Sequence, residues 1–99
     1  MGIDSLLPEQ IRKEISLAAD ILMKEGCREV YLFGSLASGS YTEKSDIDIA
    51  TVGLPKQSFF SAYGKLLSFI ERPVDLVPLD YDTDFGRMLI EKGVLTRVA

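Results

Sequence analysis

The stretch that decides the fold runs Glu29-Val30-Tyr31-Leu32-Phe33-Gly34-Ser35-Leu36-Ala37-Ser38-Gly39 and, after Ser40-Tyr41-Thr42-Glu43-Lys44, closes on Ser45-Asp46-Ile47-Asp48-Ile49-Ala50. Two runs of β-branched, aromatic and aliphatic residues, 29–33 and 47–52, flank a small polar segment that holds Gly34, Ser35, Ser38, Gly39, Ser40 and Thr42. The runs read as buried strands and the segment between them as a loop with room for one helical turn. A loop without a crossover helix returns the second strand antiparallel beside the first. Side chains alternate along a strand, so Asp46 and Asp48 project from one face while Ile47 and Ile49 turn to the core. The aspartate pair then begins near the Gly34-Ser35 end of the first strand.

The flanking sequence supplies the helices. Pro8-Glu9-Gln10 suits a first helical turn, because proline is tolerated there and acid favours the positive end of the dipole. Ile11, Ile15, Ala18, Ala19 and Leu22 recur on one helical face, and Gly26 is free to take the left-handed conformation that ends the helix. Gly53-Leu54-Pro55 breaks the second strand, and Phe59, Tyr63, Leu66, Leu67 and Ile70 mark a second amphipathic helix. Arg72-Pro73 leads into a third strand over 74–77, expected parallel to the second after its helical crossover. Asp82 or Thr83 is placed to cap a last helix that runs to Lys92, with Phe85, Met88 and Leu89 inward and Gly93 as its stop. Residues 94–98 offer a short final strand. The order predicts an α/β (α+β) fold, a small mixed β-sheet with helices packed on it, and no repeat or linker divides residues 1–99.

Composition narrows the chemistry. The 99 residues fit one domain, and 46% hydrophobic residues supply its core. A domain of this size buries only about 60–65% of its unfolded surface, so a partner surface is expected to help hold it. A net charge of −4, with 11 basic residues scattered rather than clustered, argues against direct nucleic-acid binding. The single cysteine, Cys27, excludes an internal disulfide and reads as a small buried thiol. With no secretory leader and no apolar run near the ~20 residues of a membrane span, a cytoplasmic location is expected. The sequence contains no His, which excludes imidazole catalysis and His-based metal sites. The chemistry must run on carboxylates.

Asp75 lies between Val74 and Leu76 on the third strand, where it is placed to join Asp46 and Asp48. Three converging carboxylates repel one another and either shift their pKa values or bind a cation. Magnesium suits them, because it takes carboxylate oxygens together with substrate phosphates and retained water. Two such ions about 4 Å apart would stabilise the attacking and leaving oxygens of an in-line phosphoryl displacement. Gly34 lets backbone approach a phosphate, and Ser35 adds a hydroxyl donor. Taken singly these residues have ordinary explanations: Asp46 as a turn cap, Asp48 as a solvated strand residue, Lys44 and Tyr41 as loop surface, Phe59, Phe60 and Tyr63 as core or interface, Asp80, Asp82 and Asp84 as loop acids. Spacing, strand context and the third acid together favour the functional reading.

At these residues the chain resembles the minimal nucleotidyltransferases, the MNT domains of the polymerase-beta-like superfamily. Leu-Phe-Gly-Ser-Leu-Ala-Ser-Gly followed by Ser-Asp-Ile-Asp-Ile carries the resemblance, which extends through the leading helix and the tail Phe-Gly-Arg-Met-Leu-Ile-Glu-Lys-Gly-Val-Leu. The resemblance implies a single nucleotidyltransferase domain over 1–99 in which Asp46 and Asp48 ligate both metals. Asp75 would ligate the catalytic metal and help activate the incoming hydroxyl, while Gly34 and Ser35 hold the triphosphate. It further implies transfer of a nucleoside monophosphate, AMP from ATP or another triphosphate, onto a HEPN-type toxin partner, with this chain as antitoxin. The chain departs from many relatives at Leu36 and Ser38, where those carry arginine. That departure keeps open an antitoxin that acts by binding alone. Transfer to a small molecule, as in aminoglycoside-modifying relatives, is disfavoured by the lack of a second domain. The acceptor is expected from outside, in a homo- or hetero-oligomer.

Overall fold

The structure, a computed structural model, describes residues 7–99. Helix α1 (Glu9–Lys24) leads into strand β1 (Glu29–Phe33), a single turn of helix α2 (Ser35–Ser38) and strand β2 (Ile47–Val52). A 3-10 turn (Lys56–Ser58), helix α3 (Phe59–Phe69), strand β3 (Val74–Pro78), helix α4 (Asp84–Lys92) and strand β4 (Thr96–Arg97) complete it. The sheet order is β3-β2-β1-β4. β1 pairs antiparallel with both β2 and β4, and β3 runs parallel to β2, so the sheet is mixed as expected.

Alternation along the strands gives each face its partner. Val30, Leu32, Ile47, Ile49, Val74 and Leu76 face one way and pack with Ile11, Ile15, Ala18 and Leu22 of α1 and Ala62 and Leu66 of α3. Phe33 and Ala50 face the other way and meet Leu79 and Leu89, which puts α4 over part of the second face. Gly26, at φ +110°, turns the chain out of α1 into β1 as its sequence position foretold. Thr83 is the cap of α4: its Oγ1 accepts from the Gly86 amide at 3.0 Å. Cys27 is buried, and burial first, then the charges of Asp80 and Glu25, pushes its thiol up to about 11. That thiol is inert. No helix among the described residues is long and apolar enough to cross a membrane.

Three expectations need correction. Leu67 is 55% exposed, because the buried stripe of α3 is set by Ala62 and Leu66, and the next residue lies about 100° further round the helix. Phe85 is 45% exposed: it sits on the first turn of α4 and leans edge-on against Phe33 instead of entering the core. Only Thr96–Arg97 of the last segment forms a strand, although the Val98 amide still bonds the Val30 carbonyl at 2.8 Å.

One buried polar atom stands out. Thr51 is fully buried, and its Oγ1 finds no hydrogen-bond partner among the described residues. An unmade hydrogen bond in the core costs on the order of 1 kcal/mol or more. Thr51→Val, near in shape, is therefore expected to stabilise the chain by about 1 kcal/mol in chemical denaturation. A destabilised variant would show that the hydroxyl is satisfied.

Candidate active site

The register of the sheet builds the site. Asp48, the second residue of β2, pairs with Phe33 at the end of β1 and with Asp75, the second residue of β3. Register partners share a face, so Phe33, Asp48 and Asp75 form a row across the sheet on the side away from α1 and α3. Asp48 is half-buried and Asp75 exposed. Asp46 is exposed one residue before β2 begins, at the same end of the sheet.

Gly34 joins β1 to α2 directly over Asp48. Its φ is +72°, and a Cβ there would collide with the Asp48 carboxylate and lie 3.1 Å from its Cγ. Both conformation and clearance demand glycine. Ser35 opens α2, and its carbonyl accepts from the Gly39 amide at 3.0 Å and the Ser38 hydroxyl at 3.3 Å. Leu36 and Ser38 stand where the family resemblance led arginine to be expected. Leu36 is buried in the main core under α2, and Ser38 is exposed. Lys44 is exposed in the turn before Asp46, and Tyr41 packs against the edge of the main core.

Electrostatics follow from this crowding. Burial, then the hydrogen bond with Asp75, then the charges of Asp75 and Asp46 push the Asp48 carboxyl up to about 6. Below about pH 6 the Asp48 carboxyl keeps its proton, because ionising beside a second carboxylate costs repulsion. Among the described residues no three acidic or thiol side chains are already gathered as a finished metal site. The donor set nonetheless fits a hard divalent cation: the carboxylate oxygens of Asp48 and Asp75 meet, and the charge of Asp46 acts on them.

Sequence reading missed the place of Phe33 in the row and the reach of Arg72. Phe33 and Phe85 stack edge-on, with centroids 5.9 Å apart, beside Asp48. The alternation that puts Leu32 in the core could have placed Phe33 on the aspartate face. Arg72, read only as a lead-in to β3, bonds Glu14 of α1 at 3.0 Å, 58 residues away in sequence. No local signal reveals that pair.

The Asp48 proton sets a pH dependence. Its folded-state pKa is raised from 3.8, so the folded chain holds this proton more tightly than the unfolded one. The stabilising contribution is complete below pH 3.8 and is lost as pH rises to about 6. Asp48→Asn, which stays neutral, is expected to raise Tm above wild type at pH 7.5 in metal-free buffer and to lose that advantage near pH 4. A Tm difference independent of pH between these values would contradict the raised Asp48 pKa.

Comparison with known proteins gives the family. The family model for polymerase beta nucleotidyltransferases matches residues 16–96. A Methanocaldococcus jannaschii protein provisionally named a protein adenylyltransferase is 30% identical over 93 residues, 86% of this chain and 93% of that protein. Among solved structures, one provisionally described as a minimal nucleotidyltransferase shares the fold, with TM-score 0.68 and 19% identity over 97% of this chain and 99% of that one. A toxin–antitoxin structure with AMP-PNP matches at TM-score 0.57 and 31% identity, over 71% of this chain and 60% of that chain. A structure of tri-AMPylated Shewanella oneidensis HEPN toxin in complex with MNT antitoxin matches at TM-score 0.52 and 28% identity, over 75% and 59%. The chain thus spans about three fifths of the length of these two toxin–antitoxin chains. With a family match that takes in both strands of the Asp46-Ile47-Asp48 hairpin and the strand of Asp75, this chain belongs to the polymerase beta nucleotidyltransferase family.

Proposed function

We propose that this chain, as one domain over residues 1–99, transfers AMP from ATP to a hydroxyl of a HEPN-type toxin and so acts as its antitoxin in the cytoplasm. The observation that carries the reading is the Asp48–Asp75 carboxyl contact directly beneath the Gly34 backbone. With no side chain at Gly34, a phosphate has backbone to approach beside that pair. The names of the adenylyltransferase relative and of the AMPylated HEPN toxin complex support both the transferred group and the acceptor class.

In this mechanism Gly34 gives the phosphates close access to backbone, and the Ser35 hydroxyl donates to a phosphate oxygen. Asp46, Asp48 and Asp75 would hold magnesium, as two ions. Bound there, the metal would neutralise triphosphate charge and ease ionisation of the attacking hydroxyl. The acceptor oxygen forms a bond to the α-phosphorus as the bond from that phosphorus to the β-bridging oxygen breaks, and pyrophosphate departs. The hydroxyl proton passes to the exposed carboxylate of Asp75, which can release it to water.

A second reading, an antitoxin that neutralises its partner by binding alone, draws on one observation. The turn over the aspartates brings no cation to a triphosphate, since Leu36 is buried and Ser38 neutral. Incubation with magnesium, labelled ATP and the partner HEPN-type protein separates the two. Label is expected on the partner, with a loss of roughly a thousandfold or more in the Asp46→Asn, Asp48→Asn variant, as befits groups that act on the transition state. A partner left unlabelled yet neutralised, and neutralised equally by the double variant, would establish binding alone.

A further inference from the structure

Asp46 is the one carboxylate of the three that lies outside the strands, so something other than sheet hydrogen bonding must hold its backbone. The residues on either side of it are both fastened to the lead-in of β3. The Ser45 carbonyl accepts from Arg72 at 3.0 Å, and the Ile47 amide donates to the Pro73 carbonyl at 2.9 Å. The same Arg72 nitrogen also bonds the Glu43 carbonyl, and Arg72 Nε bonds Glu14 Oε1 of α1 at 3.0 Å. Both ends of that ion pair are largely shielded, with side chains 14% and 11% exposed. The turn itself is braced, as the Thr42 amide donates to Ser45 Oγ at 2.8 Å and the Ser45 amide to the Thr42 carbonyl at 3.1 Å.

We propose that Arg72, anchored by Glu14, is a positioning residue that fixes Asp46 against Asp48 and Asp75 for metal binding. The inference rests on the carboxylates forming a metal site, as the proposed function has them. A guanidinium is suited to the task, because its planar fork reaches one carboxylate and two carbonyls at once, which a lysine ammonium on a flexible stem cannot reproduce in the same geometry. The charge serves a second purpose. Held by Glu14, it fastens the turn through neutral carbonyls and does not pair with Asp46, whose oxygens stay available.

The test is Mn2+ binding to the full chain without nucleotide, followed by calorimetry. Arg72→Lys is expected to weaken Mn2+ binding by roughly tenfold or more, the usual effect of losing a group that orients a metal ligand. Val30→Ala, a core truncation at the far end of β1, serves as control and is expected to lower Tm while leaving Mn2+ affinity unchanged. If Arg72→Lys fails to fold, Glu14→Gln, which keeps an acceptor for Arg72 but removes the charge, carries the same comparison and is expected to weaken binding by a smaller factor. Wild-type binding that the Arg72 or Glu14 variant fully retains overturns this inference alone. A wild-type chain that binds no Mn2+ overturns both this inference and the metal site on which it rests.

Discussion

Asp48 cannot move away from Asp75 without breaking the sheet. It occupies the middle of three paired strands, with Phe33 in register on one side and Asp75 on the other, and Gly34 closes over its carboxyl. Backbone hydrogen bonding on both sides of β2 therefore holds two acids together that would separate if they were free. The neighbouring positions on the same strands, Ile47, Ile49, Val74 and Leu76, are buried beneath α1 and α3, which locks the register. A slip of one residue would turn those four apolar side chains to the open face and the aspartates into the core. The main core is thus what enforces the carboxyl contact.

The contact is a liability to the fold in the absence of a cation. Natural chains tolerate such local conflict where function needs it and compensate elsewhere. Here compensation is visible close by. The Glu14–Arg72 pair ties α1 to the turn before β2, and the Tyr63 hydroxyl donates to the Val74 carbonyl at 3.0 Å, fastening α3 to the first residue of β3. The second bond ends next to Asp75, and Arg72 reaches on to the Ser45 carbonyl next to Asp46. They rigidify the backbone on which the acids stand and leave the acid oxygens themselves uncommitted, which is what a site awaiting a ligand requires.

How much of this was legible in the sequence depends on the range of each interaction. Strand alternation and the short polar loop gave β1, β2, their antiparallel pairing and the face of Asp48 opposite the core, because these are local patterns amplified by burial. The parallel return of β3 followed from its helical crossover. The inward faces of α3 and α4 were read less well: Leu67 and Phe85 are as apolar as their buried neighbours, and only tertiary placement decides which side a sheet covers. Leu36 shows the same limit. As a sequence position it reads as a missing cation beside a phosphate, whereas in the fold it is a core residue that seats α2 on the sheet. Glu14 and Arg72, far apart in the chain, could not have been paired by any spacing rule.

The exposure of the site bears on where its acceptor comes from. Asp46 and Asp75 face solvent, while α4 covers the same face of the sheet through Leu89, beside Ala50 and Leu79, and through Phe85 on Phe33. Charges in open water interact weakly, and phosphoryl transfer gains most when the site is closed from water around the reacting groups. A macromolecular acceptor docking over the aspartate row would supply its hydroxyl and the missing cover in one step, and the edge-stacked pair of Phe33 and Phe85 gives that row an apolar border for it to press against. A small acceptor would bring the hydroxyl and leave the carboxylates wet. On the reading proposed here, the openness of this small sheet is therefore a reason to expect a protein substrate.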